Sequence, residues 1–367
     1  QAASAAACVL IHLLWIQPGL WLLLRVITGV ALVGIYTVIE SWLNTQAPPE
    51  RRGQVFACYM AVNLGALALA QQMLNWDSPL TFTLFAVAAT FIVLAVMPVS
   101  ATRLPQPVID DPPPLKLARL WQAAPVACAG AVLSGLGMGG FWGLGAVYAA
   151  RMEMDTAQIA GFVSLVILAG ALAQWPMGRL SDSIDRRRAL VIIAGLAAAG
   201  GVLMALLGPF GLWLLVAAAI FGAGAFSVYP AVVAHLIDHL HQEDILSGNA
   251  ALLMLHGLGA AVGPALAGAL MGITAASALP LFFALMFSLI AVYALRHLRQ
   301  GDDRIVDGAA HQVPMVRTST AVLEMMLEEA SGDELAGSTH AADGRETARD
   351  EFEQQDGDHA HDVGNRP

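Results

Sequence analysis

A few side chains stand out because apolar residues surround them. Arg25, Glu40 and His256 are ionisable groups inside otherwise hydrophobic stretches, and Asn63, Gln71, Gln174 and Tyr229 are uncharged polar groups in similar settings. A charge in hydrocarbon is expensive, so each such group is expected to face a cavity or a partner. His256, near the middle of its stretch, can titrate near neutral pH and carry a proton, or it can serve as a neutral imidazole bonded to another helix. Arg25 lies about five residues, or roughly 7.5 Å of helix, from the end of its stretch. It can bind an anion or take part in proton coupling from a central cavity, or its long side chain can reach the headgroups. Glu40 lies near the other end of the same stretch, where it can also cap the helix. Asn63, Gln71, Gln174 and Tyr229 can contact a solute or join helices to each other. A separate group, His235, Asp238, His239 and His241, has i, i+3 and i+4 spacing, which can present metal ligands on one helix end. Histidine at a helix C-terminus is also favourable to the helix dipole, which gives this group a second explanation.

The elements that carry these residues follow from composition. The chain of 367 residues is 57% hydrophobic and 13% charged, with mean hydropathy +0.65. Soluble domains average about 25% charged residues. Ten stretches have the length and apolarity for a membrane span, at 1–16, 20–43, 53–74, 80–99, 123–150, 157–177, 189–207, 212–237, 245–272 and 279–298. A helix is the expected form, since every backbone polar group must bond within the segment. Cys8, Cys58 and Cys128 fall inside these runs without metal or disulfide spacing and are expected to be reduced packing residues.

The charge is unevenly placed. Residues 301–367 hold 16 acidic and 5 basic residues, whereas residues 1–300 hold 12 and 13. Of those 13 basic residues, 11 fall in connections on one side of the spans, Arg151 falls on the other, and Arg25 lies inside a span. Basic residues accumulate in cytoplasmic loops, so the side with 11 is expected to be cytoplasmic, together with the acidic C-terminal tail. That tail cannot bury enough apolar surface to fold alone, although 320–330 has the spacing of one amphipathic helix. The body has no basic excess, which argues against nucleic acid as a partner.

A proline-rich segment at 105–114 separates four spans from six, and prolines prevent a helix from continuing through it. The expected organisation is four spans of an N-terminal bundle at 1–99, a cytoplasmic linker at 100–122, a six-helix bundle at 123–299, and the tail at 300–367. Gly29, Tyr36 and Glu50 recur 193 residues later as Gly222, Tyr229 and Glu243, a sign of parallel halves of the kind that carriers use.

The strongest motif is Gly178-Arg179-Leu180-Ser181-Asp182-Ser183-Ile184-Asp185-Arg186-Arg187-Arg188, expected as a tight turn between two spans. Gly178 would let the first helix end pack closely, Asp182 and Asp185 would accept from the first amides of the next helix, and the arginines would lie at the headgroups. This segment resembles the G-x-L-x-D-x-x-x-R-R loop of the major facilitator superfamily, which lies between the second and third spans of each half. It departs from that pattern at Ser183, where arginine is usual, and at Asp185, where glycine is usual. Arg25 to Gly29 resembles the R-x-x-x-G element of the fourth span, and Pro49-Glu50-Arg51-Arg52-Gly53 the basic turn after it. Gly259, Gly263 and Pro264 resemble the family's G-x-x-x-G-P element, a spacing that also serves plain helix packing.

The resemblance covers about residues 1–300. It implies an all-α polytopic membrane protein, a helical bundle with ten visible spans of twelve arranged six plus six, the first two lying before Gln1. It further implies a secondary transporter in a bacterial inner membrane, moving an unidentified small solute by alternating access. In that reading Arg25, Glu40 and His256 are the transport and coupling candidates, Asn63, Gln174 and Tyr229 line the cavity, and Gly178, Asp182, Asp185, Arg186 and Arg187 form the conformational loop. Protons are the candidate coupling ion and the lipid bilayer is the surrounding partner. A monomer is expected, with no cofactor, no resident metal and no enzymatic activity. No phosphate-cradling loop is present in the sequence, so direct drive by ATP is not expected. The alternatives are a polytopic membrane enzyme using the His235 group and a nontransporting sensor or scaffold working through its tail.

Overall fold

A computed structural model describes residues 1–46, 52–78, 81–101, 117–208, 211–241 and 244–300. Glu50, Arg51, Glu243, the 105–114 segment and the helix expected at 320–330 lie outside the described residues, as does the side chain of Glu40. All the described residues belong to one contact unit, Gln1–Leu323.

Among the described residues every regular element is helical. The first four long helices are α1 (Ala2–Leu14), α2 (Pro18–Gln46), α3 (Arg52–Gln72) and α4 (Thr83–Ala101), with a single 3₁₀ turn at Met73–Asn75. A short α5 (Leu117–Ala123) precedes α6 (Pro125–Arg151), α7 (Thr156–Ser183), α8 (Arg186–Leu207), α9 (Leu212–Ile237), α10 (Ile245–Ile273) and α11 (Ala278–Gln300). Each of the ten expected spans is thus a helix. Among the described residues, seven helices are long and apolar enough to cross a membrane, and Ala2–Leu14 and Thr83–Pro98 form shorter apolar stretches. The expected linker at 100–122 is partly helical, since α4 continues to Ala101 and α5 occupies its far end.

Helix boundaries follow local chemistry. Pro18 and Pro125 stand at helix starts, where a missing N–H leaves no bond unmade. Asp155 and Gln158 form a reciprocal capping box on α7, with bonds of 2.8 and 3.0 Å. Short turns make successive helices antiparallel, so the ends of α7, α9 and α11 share one face with the start of α6. The ends of α6, α8 and α10 share the opposite face.

The core of the six-helix bundle is made where glycines let backbones approach. On α6, Gly135, Gly139 and Gly143 recur every fourth residue and face His256, Ala260 and Pro264 of α10. From the other side, Gly259 and Gly263 face the carbonyls of Val132 and Leu136. A Cβ at Gly135, Gly139, Gly259 or Gly263 would collide with backbone, which cannot move aside as a side chain can. Small residues of this kind draw helices together where lipid supplies no hydrophobic drive between them. The G-x-x-x-G-P element is therefore a packing seam, and its partner stripe on α6 went unread in the sequence. Aromatic side chains fill the wider space beyond the seams. Phe221 stacks on Phe283 at 4.7 Å between centroids, and Phe287 and Phe141 pack around them.

In the first part of the chain, α1 packs on α2 and α4, while α3 packs on α7 and so joins residues 1–101 to the six-helix bundle. The proposed repeat pairs residues in unlike surroundings. Gly222 presses on the carbonyl of Val166, whereas nothing lies within 4 Å of a Cβ placed on Gly29.

Candidate functional site

Two groups of functional candidates come together in the six-helix bundle. The first surrounds His256, which is 3% exposed on α10. Its Nδ1 lies 3.1 Å from Oγ of Ser134 on α6, a residue that is itself fully buried. The Ser134 hydroxyl also donates to the carbonyl of Ala131 at 3.1 Å. With that proton so placed, Oγ accepts from the Nδ1–H of His256, a bond that serves a neutral and a charged imidazole equally well. Tyr229 of α9 lays its ring against the imidazole, 4.5 Å between centroids. The α6–α10 glycine seam is what brings these groups within reach, since Gly135 adjoins Ser134 and faces the backbone of His256. The sequence pointed to His256 and Tyr229 separately and missed Ser134, whose only signal was a hydroxyl beside a glycine stripe.

The remaining membrane candidates do not join this group. Arg25 is exposed on α2 and makes no ion pair with a described residue. Asn63 and Gln71 are half-buried on α3. Gln174 is half-buried on α7, and its Nε2 is shielded from solvent with no hydrogen-bond partner among the described residues.

The second group is the arginine-rich segment, which differs from expectation in four respects. The helix runs on through Gly178 to Ser183 and restarts at Arg186, so the turn consists of Ile184 and Asp185 alone. Asp185 explains the restart, accepting from the amides of Arg187 and Arg188 at 2.9 and 3.1 Å as an N-cap. Gly178 has nothing within 4 Å of its Cβ position and so does not mediate close packing. Asp182 accepts from the Arg186 guanidinium at 2.6 Å instead of from the next helix's amides. Finally, Arg186 and Arg187 are engaged by groups of the protein itself. Arg186 reaches Ser181 at 3.1 Å and Asp238 at 3.2 Å, and Arg187 is 5% exposed and donates to the carbonyl of His297 on α11 at 3.2 Å. One turn thereby ties the ends of α7, α8, α9 and α11. Burial raises the Asp238 carboxyl above the usual carboxylate range, against the opposing pull of Arg186.

This network also accounts for the histidine group. Asp238 is engaged by Arg186, and His239 donates its Nδ1–H to the carbonyl of His235 at 2.8 Å with the two rings 4.3 Å apart. His241 is exposed. Among the described residues no cluster of three or more His, Cys, Asp or Glu side chains is placed to hold a metal ion. The cysteines are all free. Cys8 and Cys128 are buried as expected, but Cys58 is exposed on α3.

On the opposite face, Arg151 at the end of α6 donates to the carbonyl of Met271 at 2.8 Å and satisfies a last-turn acceptor of α10. Beside it is a cavity of about 960 Å³ whose lining includes Glu153, Gln158, Phe162 and Leu212.

Comparison with known proteins agrees with this architecture. The family model of the Major Facilitator Superfamily matches the chain in two overlapping stretches, residues 1–245 and 127–325. An "uncharacterized MFS-type transporter" of Yersinia pestis is 27% identical over 292 residues, covering 79% of this chain and 75% of the relative. The "uncharacterized MFS-type transporter YcaD" of Salmonella paratyphi B is 27% identical over 284 residues, covering 76% and 72%. Among solved structures, the Major Facilitator Superfamily transporter FucP of E. coli in its outward conformation aligns with a TM-score of 0.50 at 16% identity, covering 80% of each chain. With its seams of parallel and antiparallel helices and a family match that spans most of its length, the chain belongs to the Major Facilitator Superfamily of multi-pass membrane transporters.

Proposed function

We propose that the protein is a secondary active transporter that moves a small solute across the bacterial cytoplasmic membrane by alternating access, with the proton as coupling ion. The observation that carries the coupling is the buried His256, bonded to Ser134 from α6 and covered by Tyr229 from α9. A charged imidazole in this enclosed position is costly, so protonation favours a conformation that lets water or an anionic group reach it. Ser134 accepts from Nδ1–H in either protonation state, which keeps the ring in place while the charge changes. Tyr229, Gln174 and Asn63 supply uncharged hydrogen-bonding groups for the solute.

In this reading the Arg186 network acts on one membrane face as the element that opens and recloses. The excess of basic residues in the connections on that face supports a cytoplasmic position for it and for the acidic tail. The protein works as a monomer in the bilayer, and neither a cofactor nor nucleic acid takes part.

The test is reconstitution of the full chain into proteoliposomes containing a pH-sensitive dye, followed by challenge with a panel of sugars, organic anions and amphiphilic cations. A solute that elicits proton movement in the wild type, with the response lost in His256→Gln and His256→Ala while solute exchange persists, supports the proposal. Solute accumulation that ignores the proton gradient overturns the coupling.

A further inference from the structure

Residues 1–101 meet the six-helix bundle along α3 and α7, and one end of this seam carries a chain of polar bonds. Ser164 of α7 is 6% exposed, and its hydroxyl donates to the carbonyl of Ala68 on α3 at 2.9 Å. The same oxygen accepts from Nε2 of Gln72 at 2.7 Å. Nε2 of Gln72 also reaches the carbonyl of Ala160 at 3.3 Å, and Oε1 of Gln72 accepts from Asn75 at 3.1 Å. Ala68 and Gln72 are one turn apart on α3, as Ala160 and Ser164 are on α7, so the bonds tie two turns of one helix to two turns of the other. Further along α3, the buried residues of the same stripe are Leu64 and Met60. The directional bonds are thus concentrated at the end of the seam near the start of α7, opposite the arginine-rich turn.

We propose that Gln72 and Ser164 form a latch between the two bundles at this face, closed in the present structure and released whenever the carrier opens there. The proposal rests on the alternating-access reading. Ser164 uses its one proton and an acceptor lone pair across the seam, so closure leaves no group of the pair unsatisfied. When the helices part, the hydroxyl can turn back to the carbonyl of Ala160 four residues earlier on its own helix, which Gln72 vacates. Gln72 meets incoming water. Neutral hydrogen bonds exchanged for water are worth little net, so this pair biases the equilibrium toward closure without locking it. A wholly apolar seam would lack this register, and an ion pair would be harder to part and re-form.

The test needs no identified solute. The full chain, with Cys8, Cys58 and Cys128 replaced by alanine, is spin-labelled in nanodiscs at one of two pairs. Trp76→Cys with Ala157→Cys reports the latch face, and Val55→Cys with Ser183→Cys reports the face of the arginine-rich turn. Ser164→Ala with Gln72→Ala is expected to raise the ratio of long to short distances at the latch face roughly tenfold, equivalent to about 1.4 kcal/mol. Ser164→Thr, which keeps a hydroxyl, is expected to stay near the wild-type distribution. An unchanged latch-face distribution in the alanine double variant overturns the proposal, and so does Ser164→Thr behaving like alanine. The second pair separates the underlying reading. A longer latch-face distance with a shorter distance at the other face fits alternation, whereas a longer latch-face distance alone supports the latch and rejects alternating access.

Discussion

Arg186 Nε donates to Oδ2 of Asp238 across 3.2 Å, joining the first residue of α8 to the residue that ends α9. The same guanidinium holds Asp182 and Ser181 of α7, so three helices meet on one planar, multidentate donor. A lysine has a single point of charge and cannot span these partners. Arg186→Lys is expected to lower the stability of the purified protein by about 1.5–3 kcal/mol, the range for hydrogen bonds to charged groups. Thermal unfolding in detergent measures it.

Asp238 gives this network a pH signature. Its carboxyl titrates above the ordinary value because it is partly buried, so the folded state holds its proton more tightly than the unfolded state does. The stabilising contribution is therefore complete below the unfolded value of about 3.9 and declines as pH rises through the folded value. Asp238→Asn is expected to flatten the stability profile in that acidic window. An unchanged slope in the same window, read by melting temperature against pH, would count against it.

The α6–α10 seam predicts opposite outcomes for two glycines two residues apart. Gly259→Ala places a methyl group against the carbonyl of Val132 and is expected to cost about 1–3 kcal/mol or more, as overpacking does. Gly257→Ala meets nothing within 4 Å and is expected to be neutral or stabilising by up to about 1 kcal/mol through helix propensity. Paired melting curves distinguish the two.

Asp185 carries the restart of α8. Asp185→Ala removes the acceptor of two amides and is expected to cost about 0.5–2 kcal/mol, while Asp185→Asn retains most of it. Hydrogen exchange at the amides of Arg187 and Arg188 is expected to accelerate in the alanine variant alone.

Ser134→Ala removes the hydroxyl bonded to the buried imidazole of His256, at a cost of about 0.5–1.5 kcal/mol. The ring ¹⁵N shifts of His256 should change in Ser134→Ala and return toward wild type in Ser134→Thr. A purely packing role for Ser134 would leave those shifts in place.

The ten helices, their order and the break between α4 and α6 were legible in the sequence because a bilayer leaves few choices. An apolar run long enough to span must be a helix, and its basic flanks sort by side. The arginine-rich segment was also legible as a place, since its spacing resembles a family motif. Its roles were not. Gly178 was expected to pack and faces open space, and Asp182 was expected to cap and pairs with Arg186. A turn's sequence states which charges are available, whereas their partners come from α9 and α11, some 50 and 110 residues away.

The same division holds inside the membrane. The sequence alone determined which polar residues lie within apolar helices, because the cost of burying them makes each one conspicuous. Only the tertiary structure decided that His256 meets Ser134 and Tyr229, and that Ser164 meets Gln72 and Ala68. Those pairings depend on the register at which glycine-lined backbones settle against each other. That register is fixed by contacts along the whole length of two helices, and no local pattern in either helix contains it.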